Sequence, residues 1–170
     1  MRLCVYKYNH TSCGGISWRI FRGSLQAVCV TYADKLGRLA IGLEVDASGP
    51  LPSEIRLFAA GWNETENGRF LFDDAAASAV MAAYQAHAVD RMFDLEHLSL
   101  DSTAPHFDPD ARGWCKLELR EGPELWAVDI RWTPDGEARL RDKRQRYVSP
   151  AFEFELDSGR VVKLVNVALT

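Results

Sequence analysis

Tyr147-Val148-Ser149-Pro150-Ala151-Phe152-Glu153-Phe154-Glu155-Leu156 carries the two-residue period of a β-strand. Val148, Phe152, Phe154 and Leu156 fall on one face. Tyr147, Ser149, Ala151, Glu153 and Glu155 fall on the other. Asp157-Ser158-Gly159 is hairpin punctuation, and the β-branched run at 160–169 is a second strand, so the chain ends in an antiparallel hairpin. Pro150 gives the ladder no N–H, which assigns it to an edge or a bulge. Such places aim side chains into sites. On pattern alone, Ser149 is a surface serine facing away from the aromatic side.

Working back from this hairpin, Thr133-Pro134 opens a short helix over 134–144, since proline suits the first helical position. Its basic run, Arg139, Arg141, Lys143, Arg144 and Arg146, could bind phosphate or an acidic peptide but reads first as a solvated face. Segments 114–120 and 124–132 are strands around Gly122-Pro123, and 89–99 is a further strand. The strongest helix is 73–88, DDAAASAVMAAYQAHA. Asp73 or Asp74 can cap it, and Ala77, Val80, Met81 and Tyr84 form one apolar stripe. Asn63–Gly68 reads as a turn and 55–60 as a short strand. The first fifty residues read as strands at 2–8, 16–21, 25–32 and 38–45, broken by glycines and by the Asp34–Gly37 turn. The whole is α+β and β-rich: one domain over 1–170, a partly closed antiparallel barrel with two flanking helices.

The chain has 170 residues, 47% of them hydrophobic and 26% charged, as in an ordinary globular domain. A net charge of −4 argues against a nucleic-acid footprint over the whole domain. No apolar run approaches the ~20 residues that span a bilayer, and the N-terminus has no signal-peptide apolar segment. Cys4, Cys13, Cys29 and Cys115 form no C-x-x-C pair, so they read as small core hydrophobes and no metal is expected. No cofactor motif is present either.

The chemistry therefore rests on scattered residues. His10, His87 and His106 lie in surface-like settings. His97 lies in the run FDLEHLSL beside Asp94 and Glu96. A carboxylate there can hold one tautomer and keep the ring basic, as a general base needs.

From Ile55 to Thr170 the chain resembles the Mu-like phage head-maturation proteases, the phage I-protein family. Leu57–Arg69 is similar to that family's Pro-Ala-Gly segment ending in Asp-Gly-Arg. Phe93–His97 resembles its Asp-Tyr-Glu-His, and Asp110–Trp114 its Ala-Ala-Gly-Trp. Leu125–Thr133 resembles its Leu-Tyr-Ala-x-Val-x-Trp-Thr. Arg146–Glu155 is similar to its Tyr-Arg-Tyr-x-Ser-Pro-Val-Phe, and Ala168–Thr170 to its Ala-Leu-Thr. The segments fall in the family's order.

The resemblance implies an assemblin-like serine endopeptidase with a compact β-barrel, nucleophile Ser149 and active-site histidine His97. It implies cleavage of phage scaffold and major capsid precursors, and of the enzyme's own tail. The setting is the host cytoplasm, inside the assembling prohead, with a homo-oligomer allowed. The alternative is a non-catalytic capsid-assembly or scaffold-interaction module on the same fold. Family members continue past Leu-Thr into a tail, whereas this sequence stops at Thr170.

The third member of the site has two named candidates, beside a plain Ser149–His97 dyad or a further partner. If Ser158-Gly159 is a two-residue turn pairing Asp157 with Arg160, Ser149 lies opposite Ala168. Asn166 then shares its face one diagonal step away. A slip of one residue would turn Asn166 to the other face. Asp94 is the rival, although strand alternation sets it on the face opposite His97.

Overall fold

The computed structural model describes residues 17–21, 24–28, 37–39, 41–42, 49–65 and 68–170. The strand expected at 2–8, His10, Cys4, Cys13 and Cys29, and parts of the strands expected at 25–32 and 38–45, lie outside the described residues. The chain divides into two compact units, 1–35 and 36–170. In the first, Ser17–Phe21 (β1) pairs antiparallel with Ser24–Val28 (β2), Phe21 opposite Ser24.

The second unit is built on a curled, half-barrel sheet of eight strands. In chain order these are Gly37–Arg38 (β3), Ile41–Gly42 (β4), Ile55–Phe58 (β5), Arg91–Leu95 (β8), Gly113–Arg120 (β9), Glu124–Trp132 (β10), Tyr147–Phe154 (β11) and Val161–Leu169 (β12). The spatial order is β3-β11-β12-β8-β9-β10-β5, with β4 also on β11. Every pairing is antiparallel except β8 with β12, which run parallel. Gly61–Thr65 (β6) and Gly68–Phe72 (β7) form a separate hairpin, so most of the turn expected at 63–68 is strand.

Helix α1 spans Asp74–His87. Asp73 caps it by accepting from the Ala76 N–H at 2.9 Å. Asp73 is also gripped by the Arg160 guanidinium at 3.0 Å, so the first turn of α1 is tied to the β11–β12 turn. Ala76, Ala77 and Val80 are buried, with Met81 and Tyr84 packed at the margin, which is the expected stripe. Helix α2 spans Pro134–Arg141, capped by Thr133 Oγ1 on the Gly136 N–H. Its basic residues pair locally, Arg139 with Asp135 and Arg141 with Glu137. Lys143 and Arg144, beyond the helix, are exposed, whereas Arg139 and Arg141 are half-buried.

Buried rings anchor β11. Phe58 and Phe72 stack at 5.0 Å, and Phe152 meets Phe58 and Phe70 edge-on at 5.0 and 4.9 Å. Phe152 is wholly buried, so truncating it would cost about 3–5 kcal/mol. It sits three residues after Ser149 on the opposite face of the strand, so core packing and the placement of Ser149 are coupled. The ring also fills the space where Gly37 would carry a Cβ.

On its other edge β11 is met by β3 and β4. Tyr147 and Val148 pair with Gly42 and Ile41, and Ala151 and Phe152 pair with Arg38 and Gly37. Pro150, which has no N–H to give, lies opposite Val167 of β12.

At Gly136 a Cβ would lie 1.9 Å from the Arg112 carbonyl oxygen, which already accepts from the Thr133 N–H. Backbone cannot yield as a side-chain tip can. Gly136→Ala is expected to destabilise the chain by about 2–3 kcal/mol, read as a lower urea midpoint at unchanged slope. An unchanged midpoint would mean that α2 does not pack against the Arg112 backbone as described.

Candidate active site

β12 lies between β11 and β8, and its register arrays the polar residues. Ser149 pairs with Ala168, and Ala168 with Asp94 on the far side. Asn166, two residues before Ala168, pairs with Ala151. Ser149, Asn166 and Asp94 therefore share one face of the sheet.

The turn that sets this register differs from the expected one. Glu155 N–H donates to Arg160 O, and Gly159 N–H to Glu155 O, so four residues close the hairpin. Two register shifts follow, between Ala151 and Phe152 and between Glu153 and Phe154. The extra residues, Val165 and Val162, lie on β12. Together they move the pairing by two and restore Ser149 opposite Ala168.

His97 is not in a strand, contrary to the run expected over 89–99. β8 ends at Leu95, and Glu96 and His97 take φ values of 51° and 60°. Left-handed backbone costs about 1–2 kcal/mol per residue without glycine. The turn is held by Glu96 N–H to Leu169 O at 2.9 Å and Leu98 N–H to Leu95 O at 2.8 Å. It folds the imidazole back over β12. Strand parity between Asp94 and His97 therefore does not apply.

The outcome is a line of contacts. Ser149 Oγ lies 2.9 Å from His97 Nε2, and His97 Nδ1 lies 2.9 Å from Asn166 Oδ1. Ser149 and His97 are each 6% exposed and Asn166 5%, so Ser149 is not the surface serine that alternation predicts. Asp94 is wholly buried but reaches the line only through Ser99. Sequence reasoning missed Ser99. Its one signal is an acid five residues earlier, and only the turn at 96–97 makes that spacing a contact.

Burial is the largest influence on His97 and lowers its pKa below the ordinary 6.5. The Asn166 hydrogen bond and the Asp94 charge oppose it, the Arg38 charge adds to it, and Glu96 opposes it. The ring is therefore neutral at pH 7, the form that accepts a proton. With Nδ1–H donated to the Asn166 carbonyl, Nε2 turns its lone pair to the Ser149 hydroxyl.

The other titratable candidates are placed elsewhere. His87 and His106 are exposed. Burial pushes the Cys115 thiol up to about 12, so it is a core group and not a thiolate. Among the described residues, no group of three or more His, Cys, Asp or Glu side chains could hold a metal ion.

The class defined here is a β-rich domain in which two neighbouring strands and the turn after a third hold a serine, an amide and a histidine in one buried hydrogen-bonded line. The chain belongs to the Mu-like prophage I protein family: the model of that family's N-terminal domain matches residues 55–170. This relates it to bacteriophage proteins. No curated protein and no solved structure matches it.

The His97 ring is expected to titrate below pH 6.5, with Asn166→Leu moving the midpoint lower still, because a contact favouring the charged ring is lost. NMR titration of the imidazole measures both. A midpoint above 6.5 would contradict the buried, neutral ring.

Proposed function

We propose that the chain is a serine endopeptidase in which Ser149 is the nucleophile and His97 the general base. The observation that carries this reading is the 2.9 Å approach of Ser149 Oγ to His97 Nε2, with the opposite ring nitrogen held by Asn166.

Nε2 takes the hydroxyl proton as Oγ attacks a peptide carbonyl carbon, giving a tetrahedral intermediate and an imidazolium. The imidazolium then gives that proton to the leaving amine nitrogen, the C–N bond breaks, and the acyl group stays on Oγ. Water repeats the sequence, with His97 taking its proton, and frees the carboxylic acid and Ser149. Asn166 carries no charge, so it orients the ring without neutralising the imidazolium. The Asp94 charge favours the imidazolium from further away.

Family membership supports a phage setting for this chemistry. The proposed substrates are the scaffold and major capsid precursors, and the proposed place is the prohead assembling in the host cytoplasm. Cleavage of a scaffold-like tail by the enzyme itself belongs to the same proposal.

Co-expression with the neighbouring scaffold and capsid proteins tests this, followed by intact mass. The chain should cleave the precursors, and Ser149→Ala and His97→Gln should lower the rate by on the order of 10⁴–10⁶. The rate should also fall with acid, with the inflection below pH 6.5, because protonated His97 cannot act as the base. Equal processing by Ser149→Ala would remove Ser149 from the mechanism. Folded protein that neither cleaves nor reacts with a serine-directed phosphonate would favour the assembly-module alternative.

A further inference from the structure

The contacts continue beyond Asn166. Its Nδ2 donates to Ser99 Oγ at 3.3 Å. Ser99 in turn gives two hydrogens to Asp94 Oδ2, from its backbone N–H at 3.0 Å and its hydroxyl at 2.6 Å. Asp94 is wholly buried, and its other oxygen, Oδ1, has no partner.

Counting hydrogens along this line gives it a direction. A carboxylate only accepts. The Ser99 hydroxyl therefore gives its one hydrogen to Asp94 and meets Asn166 as an acceptor. That turns the Asn166 NH₂ toward Ser99 and its carbonyl toward His97. The carbonyl must receive a hydrogen, so Nδ1 carries it, and Nε2 is left free to take the Ser149 proton.

The middle of the line fits equally well in reverse. A Ser99 hydroxyl donating to a turned Asn166 carbonyl would present NH₂ to Nδ1. The ring would then hold its hydrogen on Nε2, where it blocks the attack on the Ser149 proton. Serine, amide and imidazole each donate and accept, so only the acceptor at the far end separates the two states. We propose that Asp94 and Ser99 are positioning residues that fix, through the Asn166 amide, the tautomer in which His97 is a base. The catalytic consequence rests on the reading of Ser149 and His97 given above, but the tautomer itself does not.

Asp94 also holds the 96–99 turn through the Ser99 N–H, so loss of activity on mutation would not separate positioning from folding. The tautomer does. The experiment is a long-range proton–nitrogen NMR spectrum of the uniformly ¹⁵N-labelled full chain above neutral pH, with His97 identified by the signals lost in His97→Gln. The wild type should show a protonated, pyrrole-type Nδ1 and a pyridine-type Nε2. Asp94→Asn should keep this pattern, because its side-chain oxygen can accept from Ser99 as Oδ2 does. Ser99→Thr should keep it as well. Ser99→Ala should populate both forms, and Asp94→Leu should shift the ring to Nε2–H.

Phosphonate labelling of Ser149 in the same samples should fall roughly 10³–10⁴-fold in Asp94→Leu, the cost of holding a base in the wrong tautomer. It should recover in Ser99→Thr relative to Ser99→Ala. An Nε2–H ring in the wild type would overturn the proposal. So would an unchanged Nδ1–H ring in folded Ser99→Ala and Asp94→Leu. If Asp94→Leu does not fold, the wild-type ring and Ser99→Ala decide. An Nδ1–H wild type that shifts in Ser99→Ala yet never reacts with the phosphonate would uphold the positioning role and remove the protease. A reactive wild type with Nε2–H would do the reverse.

Discussion

Strand β12 is the constraint on which the rest of the site depends. It bonds antiparallel to β11 and parallel to β8, so the row Ser149–Ala168–Asp94 crosses three strands at roughly 4.8 Å per step. Three side chains from distant parts of the chain reach one face because one strand sets the register for both neighbours. The two shifts on β12 are part of that setting. Carried without them, the four-residue turn would place Ser149 opposite Asn166. A single shift would turn Asn166 to the far face and take it from the imidazole.

The polar line is affordable inside the protein because nearly every group in it is bonded. A buried amide or hydroxyl without a partner costs about 1–3 kcal/mol, and a chain of bonded ones avoids that penalty while fixing each rotamer. The aromatic cluster around Phe152 supplies the apolar counterpart. It holds β11 from the opposite face, so the strand cannot slide without breaking either the ring contacts or the hydrogen bonds.

The distribution of charge follows from the same burial. A carboxylate directly on His97 would hold the ring more strongly in its protonated form. A neutral amide there orients the ring and leaves it unprotonated at pH 7, while the carboxylate stands one serine further off. The left-handed turn at Glu96 and His97 makes this spacing workable, since an extended strand through 97 would carry the imidazole away from β12.

Much of this was legible in the sequence. The alternation at 147–154, the alanine-rich stripe at 74–87 and the proline and threonine at 133–134 each set a local period or cap, and local rules act through neighbours in the chain. The order of motifs around Asp94, His97 and Ser149 pointed to the family for a similar reason, since short spacings survive in sequence. Even the facing of Asn166 and Ser149 was reached, though from a turn two residues tighter than the real one. Tertiary structure alone decided the parallel pairing of β8 with β12, the paired shifts on β12, the burial of Ser149 and the entry of Ser99. Each depends on which strands meet across long stretches of chain, and that is set by packing of the whole sheet and not by the residues on either side.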